Sequence, residues 1–306
     1  DGNINDYFNL SNFAMQTDTT VGLDTMYRKT LKYHYTEAGD PGNHTFGKSS
    51  ITAGYVMLDY TIIPLIRVSG GLRVEQAYIY TDVRLYDSLK YPINDWRRHG
   101  FNPGKLDQTD LLPSGNLIFK LKRDELAPIN LRFNYSQTVA RPSIRELSSV
   151  SAFDYQYRTY VIGNPQLQTV YIKNYDLRLE TYFKNNDNVS LSVFYKDFIN
   201  HIEIYFSSAL SGYSWRNVDK SYAKGIELEG KKRIIKNFDF RANATFVKSQ
   251  TTFDTIKRQM FGQAPYILNG ILSYTADSLG LTVSAIYNVQ GPRLAIDLSA
   301  ENVPNV

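Results

Sequence analysis

The chain alternates apolar and polar residues at period two over most of its length. Between Tyr175 and Phe183, one face carries Tyr175, Leu177, Leu179, Thr181 and Phe183, and the other Asp176, Arg178, Glu180 and Tyr182. A helix would smear both sets around its circumference, whereas successive strand residues point to opposite faces. The same division separates Ile129, Leu131, Phe133 and Tyr135 from Asn130, Arg132, Asn134 and Ser136. It recurs at Val189–Lys196, Phe238–Phe246 and Leu281–Asn288. The pattern predicts about ten strands between Ile51 and Asn288, most longer than the ~9–11 residues that cross a bilayer at a tilt.

Connector lengths add a second signal. Short connectors fall near Pro64, at Arg123-Asp-Glu, Asn185-Asn-Asp, Ile235-Lys-Asn and Ala276-Asp-Ser. Long ones fall near 83–108, 142–172, 205–220, 254–263 and after 291, and the two kinds alternate. Alternating residues alone fit either a soluble sandwich with an apolar core or a barrel with an apolar lipid face and a wet lumen. The connector asymmetry favours an antiparallel up-and-down transmembrane β-barrel, with tight periplasmic turns and long external loops. So do charges of both signs on the polar faces and aromatics near strand ends, among them Tyr135, Phe183, Tyr195, Tyr274 and Tyr287.

Composition narrows the chemistry. Aromatics make up 14% of the 306 residues, too many for a disordered chain. No apolar run approaches the ~18 residues of a transmembrane helix. There is no cysteine, which excludes disulfides, thiolate metal sites and cysteine nucleophiles. A net charge of +4 spread along the chain is no footprint for nucleic acid. The mean hydropathy of −0.35 fits strands with one wet face.

Several stretches go beyond pattern. Asn134-Tyr-Ser-Gln-Thr-Val-Ala-Arg-Pro142 resembles the Tyr-Ser-x-Thr-x-Ala-Arg-Pro segment of TonB-dependent outer-membrane receptors. Gly163-Asn-Pro-Gln-Leu167 resembles that family's Gly-Asn-Pro-x-Leu, and Asn174-Tyr-Asp-Leu-Arg-Leu-Glu180 its following strand. Phe194-Tyr-Lys-Asp-Phe-Ile-Asn-His-Ile202, Ala223-Lys-Gly-Ile-Glu-Leu-Glu229 and Gly262-Gln-Ala-Pro-Tyr266 are similar to further motifs, in the right order. The resemblance runs from about Ile51 to Arg293 and is nearest to the receptors of Bacteroidota. Physically these motifs read as construction. Pro142 cannot donate to a ladder and ends a strand, Gly163-Asn-Pro165 turns the chain, and Gly225 allows a bend or close approach.

The resemblance implies an all-β fold covering about half of a 22-stranded barrel, its C-terminal part, with the plug domain outside this chain. Residues 51–306 read as this partial barrel, and residues 1–50 as a polar loop with one further strand at Tyr27–Tyr35. The resemblance also implies outer-membrane uptake of a large nutrient such as a siderophore, cobalamin, glycan or peptide. Ligand would bind at the external loops, and TonB, energised through ExbB and ExbD, would move the plug by way of a segment not in this chain. Outer-membrane lipid and a surface lipoprotein are further expected partners. No cofactor, metal or nucleic acid is expected.

Aromatic rings stack on sugar or siderophore rings, and arginine pairs with carboxylates. The external loops therefore nominate Trp96, Arg145, Tyr155, Tyr157, Arg158, Tyr160, Trp215 and Arg216 as ligand-contact candidates. The rival reading packs these side chains against other loops. Two alternative functions stay open: a non-transporting accessory barrel and a small outer-membrane hydrolase. The hydrolase would need an acid–base pair, and the nearest is Asp197 with His201, whose spacing puts both on one strand face but far apart.

Overall fold

The structure, a computed structural model, describes residues 16–18, 28–30, 44–84, 101–122, 127–155, 158–183, 187–207, 209–253 and 256–294. The chain divides into two units, Asp1–Gly42 and Asn43–Val306. In the first, β1 (Gln16–Asp18) pairs antiparallel with β2 (Arg28–Thr30).

The second unit begins with β3 (His44–Ile63), β4 (Ile66–Arg84), β5 (Phe101–Lys122) and β6 (Ile129–Ala140). A one-turn helix α1 (Ile144–Leu147) and a small hairpin of β7 (Ser151–Asp154) and β8 (Thr159–Ile162) follow. Then come β9 (Val170–Tyr182), β10 (Asn188–Ser207), β11 (Gly212–Ile235), β12 (Phe238–Phe253), β13 (Ile256–Arg258), β14 (Tyr266–Ala276) and β15 (Leu281–Gln290). The long strands form one antiparallel meander in the order β15-β14-β12-β11-β10-β9-β6-β5-β4-β3. Among the described residues, β3 and β15 each pair on one side only.

Register explains the alternation. Leu131, Leu179, Leu191, Leu228, Ala244 and Leu268 stand opposite one another across six strands. Phe133, Leu177, Val193, Ile226 and Phe246 form the neighbouring row. Most of these side chains are exposed, Leu177 at 45% and Phe246 at 49%, while Leu131, Ala244 and Leu268 are half-buried. On the polar face Glu180 and Ser190 are buried, at 4% and 2%, while Arg132 and Glu229 stay exposed. Arg178 donates to Glu180 at 3.1 Å and to Glu229 at 2.8 Å, Ser190 Oγ to Glu229 at 3.2 Å, and Arg132 to Glu180 at 2.5 Å. A water-soluble sheet buries its apolar face; this one presents it outward and builds its charge network on the other, as a lipid-embedded wall requires.

Tyrosines bound the apolar band. Tyr135 and Tyr175 lie 5.2 Å apart, Tyr175 and Tyr195 6.3 Å, and Tyr195 and Tyr222 6.1 Å, in a continuous ladder. At the tight-turn end, Phe238 and Tyr274 pair at 4.7 Å. The strands run well past the tyrosine ladder, β11 reaching 24 residues. Their upper portions stand outside the membrane.

That overshoot shortens the expected loops. In 83–108 the ladder holds to Arg84 and resumes at Phe101. Most of 205–220 is paired strand, with Phe206 opposite Tyr213 and Ser207 opposite Gly212. Above the bilayer a strand needs no apolar face, so alternation fades while hydrogen bonding continues. The segment 142–172 holds α1, β7, β8 and the start of β9, and 254–263 holds β13. Residues 291–294 have no regular structure.

Candidate functional site

The 141–169 connection folds onto the polar face at the end opposite the tight turns. Its anchor is Arg141, the residue after β6, which is 9% exposed. Its guanidinium donates to Glu75 at 2.7 Å and to Asp110 at 2.5 Å. Asp110 also accepts from Tyr171 at 2.8 Å and from Gln108 at 3.0 Å. This cluster lies above the tyrosine ladder. Burial works to raise the Asp110 carboxyl, but hydrogen bonds from Gln108, Arg141 and Tyr171 overcome it and hold the group below the usual carboxylate value.

The next residues turn inward. Pro142 stops the ladder. Ser143 then caps α1: its hydroxyl accepts from the Glu146 N–H at 3.2 Å, and Glu146 Oε2 accepts from the Ser143 N–H at 2.7 Å. Leu147, fully buried, enters a small core with Ala77, Ile79, Leu106 and Leu167. The approach is close enough that a Cβ on Gly104 would meet the Leu147 side chain, and one on Gly47 would meet Ile144.

Gly163-Asn-Pro165 locks this arrangement from the other side. A Cβ at Gly163 would overlap the Ser148 carbonyl oxygen. The Asn164 N–H donates to the Glu146 carbonyl at 2.7 Å, and its amide to the Trp215 carbonyl at 3.0 Å. Two motifs more than twenty residues apart in sequence are thus halves of one joint. Gly163→Ala should cost about 1–3 kcal/mol as overpacking. It should also quicken protease cleavage between Ser148 and Gly163 at unchanged strand content, as read by limited proteolysis and circular dichroism.

Between this folded segment and the upper strands lies a recess of about 550 Å³, lined in part by Arg145, Asp154, His201, Glu203, Trp215 and Phe261. Arg145 and Asp154 pair at 3.1 Å. Val161, Ile204 and Tyr213 form the apolar cluster beneath, with Trp215 and Phe261 packed on it. β8 joins the free upper edge of β11 in parallel, Val161 opposite Tyr213.

The recess holds a buried ion pair, Arg258 to Glu203 at 2.7 Å. Burial pushes the Glu203 carboxyl up, against the pull of Arg258 and the Phe261 N–H. Burial, aided by the Arg258 charge, pushes the His201 imidazole down to about 4, so it is neutral at pH 7. Its Nδ1 lies 3.2 Å from Ser221 Oγ. The strand face expected to be shared by Asp197 and His201 is not shared. Asn200 adopts a left-handed conformation at φ 58° and breaks the alternation. His201 therefore turns to the polar face with Ser221, while Asp197 keeps the register of the tyrosine face opposite Lys173 and Tyr222.

Of the sequence candidates, Arg145 and Trp215 line the recess. Tyr155, 87% exposed, and Tyr160 both meet the Phe153 ring edge-on, at 5.3 and 5.6 Å. Arg158 sits at the β7–β8 turn with φ 53°. Arg216 stacks on Tyr205 and Phe253, with its guanidinium 4.4 and 3.5 Å from the ring centroids. Trp96 and Tyr157 lie outside the described residues. Sequence nominates none of Glu203, Arg258 and Phe261: Glu203 reads as an ordinary lumen position in an alternating strand, and Arg258 and Phe261 fall in the expected 254–263 connector. Among the described residues no cluster of His, Asp and Glu could hold a metal.

The family model of the TonB dependent receptor-like β-barrel matches residues 1–305. The chain belongs to the TonB-dependent receptor β-barrel family. It is accordingly an outer-membrane β-barrel protein, and the apolar face described above is its lipid face. The fold is also that of solved receptors. The ferric yersiniabactin uptake receptor FyuA of Yersinia pestis superposes with a TM-score of 0.59 at 16% identity, over 83% of this chain and 36% of that one. The hemophore receptor HasR of Serratia marcescens, solved with its hemophore HasA and heme, gives 0.58 at 13% identity, over 83% and 46%. The ferric-catecholate import receptor Fiu of E. coli K12 gives 0.57 at 13% identity, over 90% and 39%. The chain thus spans less than half the length of these structures. No curated protein sequence matches it.

Proposed function

We propose that this TonB-dependent receptor barrel takes up a large nutrient across the outer membrane, and that ligand is captured in and above the recess. The observation that carries the reading is the recess itself: it opens on the polar face, above the tyrosine ladder, at the end opposite the tight turns. Its walls offer an indole, a guanidinium and carboxylates, and the exposed Phe153, Tyr155 and Tyr160 rings stand on the adjoining hairpin. Such surfaces suit a ligand with ring faces and anionic groups. The siderophore, hemophore and catecholate receptors that share the fold support a nutrient of that size, while siderophore, cobalamin, glycan and peptide all remain candidates.

On this reading residues 51–306 are part of the C-terminal barrel of a Bacteroidota-type receptor. The ordered motifs from Asn134 to Tyr266 support that assignment. The chemistry is transport and not catalysis. TonB, with ExbB and ExbD, supplies the energy through a segment of the receptor beyond this chain, and a surface lipoprotein is a fitting external partner.

The test is growth of a receptor-deletion strain complemented with the full-length gene. Ferric siderophores, heme, cobalamin, glycans and peptides are each supplied as the limiting nutrient. One class should require both the receptor and TonB. Trp215→Ala should then raise the half-saturating nutrient concentration about tenfold, a loss of about 1.4 kcal/mol. Growth on every class without the receptor, or without TonB, would defeat the proposal.

A further inference from the structure

The lipid face carries a feature that uptake does not use. Lys224 on β11 stands directly opposite Lys248 on β12. Both alternate in phase with the exposed Ile226, Leu228 and Phe246, and both are exposed themselves. Like charges directly opposed across a ladder repel. Neither ammonium has an ion-pair partner among the described residues.

Their height is defined. Lys224 and Lys248 lie about one ~9–11-residue crossing from Ile235 and Phe238, the residues that flank the β11–β12 turn. Lys224 shares a row with Tyr195 and stands 5.8 Å from the centroid of the Tyr222 ring. The pair therefore sits at the interface on the side of the long connections. One row further out on the same face, Lys173 faces Asp197, so that carboxylate is already opposed by a third lysine.

Below the pair the wall is apolar, with Val193, Ile226 and Phe246 in register. An anion with acyl chains would place its charge between the two ammoniums and its chains along that band. Lysines snorkel to the interface, where a phosphate is the natural counter-charge. The outer leaflet of this membrane consists of phosphorylated glycolipid. We propose that Lys224 and Lys248 form an outward seat for the phosphate of one outer-leaflet glycolipid molecule.

The experiment uses the full-length receptor extracted from its own outer membrane in mild detergent. Retained glycolipid is counted by native mass spectrometry. Wild type should hold one molecule, and Lys224→Gln with Lys248→Gln should lower occupancy roughly tenfold. Heat-modifiable gel mobility confirms that the variant barrel is folded. A second arm offers delipidated receptor the glycolipid, its enzymatically dephosphorylated form, or phosphatidylglycerol vesicles. Only the phosphorylated glycolipid should rebind, and only to wild type. Equal retention by the folded variant, an empty wild type, or equal binding of phosphatidylglycerol would each overturn the assignment.

Discussion

Arg141→Ala should destabilise the upper wall by about 3–5 kcal/mol, measured by urea unfolding of the folded full-length receptor in lipid. The guanidinium is 9% exposed and bridges Glu75, at 12%, with Asp110, at 0%. Truncation leaves Asp110 without its counter-charge and Glu75 with only the more exposed Arg73, 2.7 Å away. Arg141→Lys should recover only part of the loss, because a single ammonium does not reproduce a two-pronged bridge. The same cluster sets a pH dependence. The folded-state value of Asp110 is lowered, so its contribution is fully present above the unfolded value of ~3.9 and disappears as pH falls through the folded value. Wild type should therefore lose stability on acidification below about pH 4. In Arg141→Ala this acid-induced loss should shrink or reverse, since a buried carboxylate without its partner is harder to ionise and protonation then relieves the folded state. A variant of wild-type stability would reduce Arg141 to a plain strand end.

How much of this was legible in the sequence follows the physics of each region. Within the bilayer, lipid and lumen impose opposite solvents on the two faces. Leu177, Leu179, Arg178 and Glu180 therefore announce both strand and orientation. The tight turns were legible for the same reason: apolar alternation stops where the membrane does. Above the tyrosine ladder that constraint lifts. The stretch 205–220 continues as paired strand but reads as loop, because Ser214, Asn217 and Asp219 suit a solvated strand as well as a turn.

The joint between Arg141–Leu147 and Gly163–Leu167 shows a different limit. Each half was visible as a motif, and each had a sound local reading as strand end or turn. That Gly163 is needed for the approach of the Ser148 carbonyl, and Arg141 for the charges of Glu75 and Asp110, is long-range information. His201 is a third case. Counting by two from Asp197 gives one shared face, and a single left-handed residue, Asn200, undoes the count. Asparagine tolerates that conformation, yet most asparagines in strands do not use it. The recess combines all three difficulties, so sequence reasoning found Arg145 and Trp215 on its wall and passed over Glu203 and Arg258.

Leu179→Arg is the sharpest test of the membrane assignment itself. Leu179 lies midway between Tyr175 and Phe183, and its row continues through Leu131, Leu191 and Leu228. An arginine near the bilayer midplane on the lipid face costs about 2–4 kcal/mol, falling to about 0–1 near an interface. The full-length variant, refolded into vesicles and titrated with urea, should show that loss. Leu281→Arg, beside the tight turn at Asp277–Leu279, should show far less. The neighbouring position gives the counter-test. Arg178→Leu removes the donor to Glu180 and Glu229 on the lumen face. There Glu180 keeps Arg132 at 2.5 Å and the more exposed Glu229 keeps Ser190 and water, so the cost should stay below that of Leu179→Arg. If the order were reversed, the face called lipid-exposed would be the wet one, and the inverted burial of this wall would need another cause.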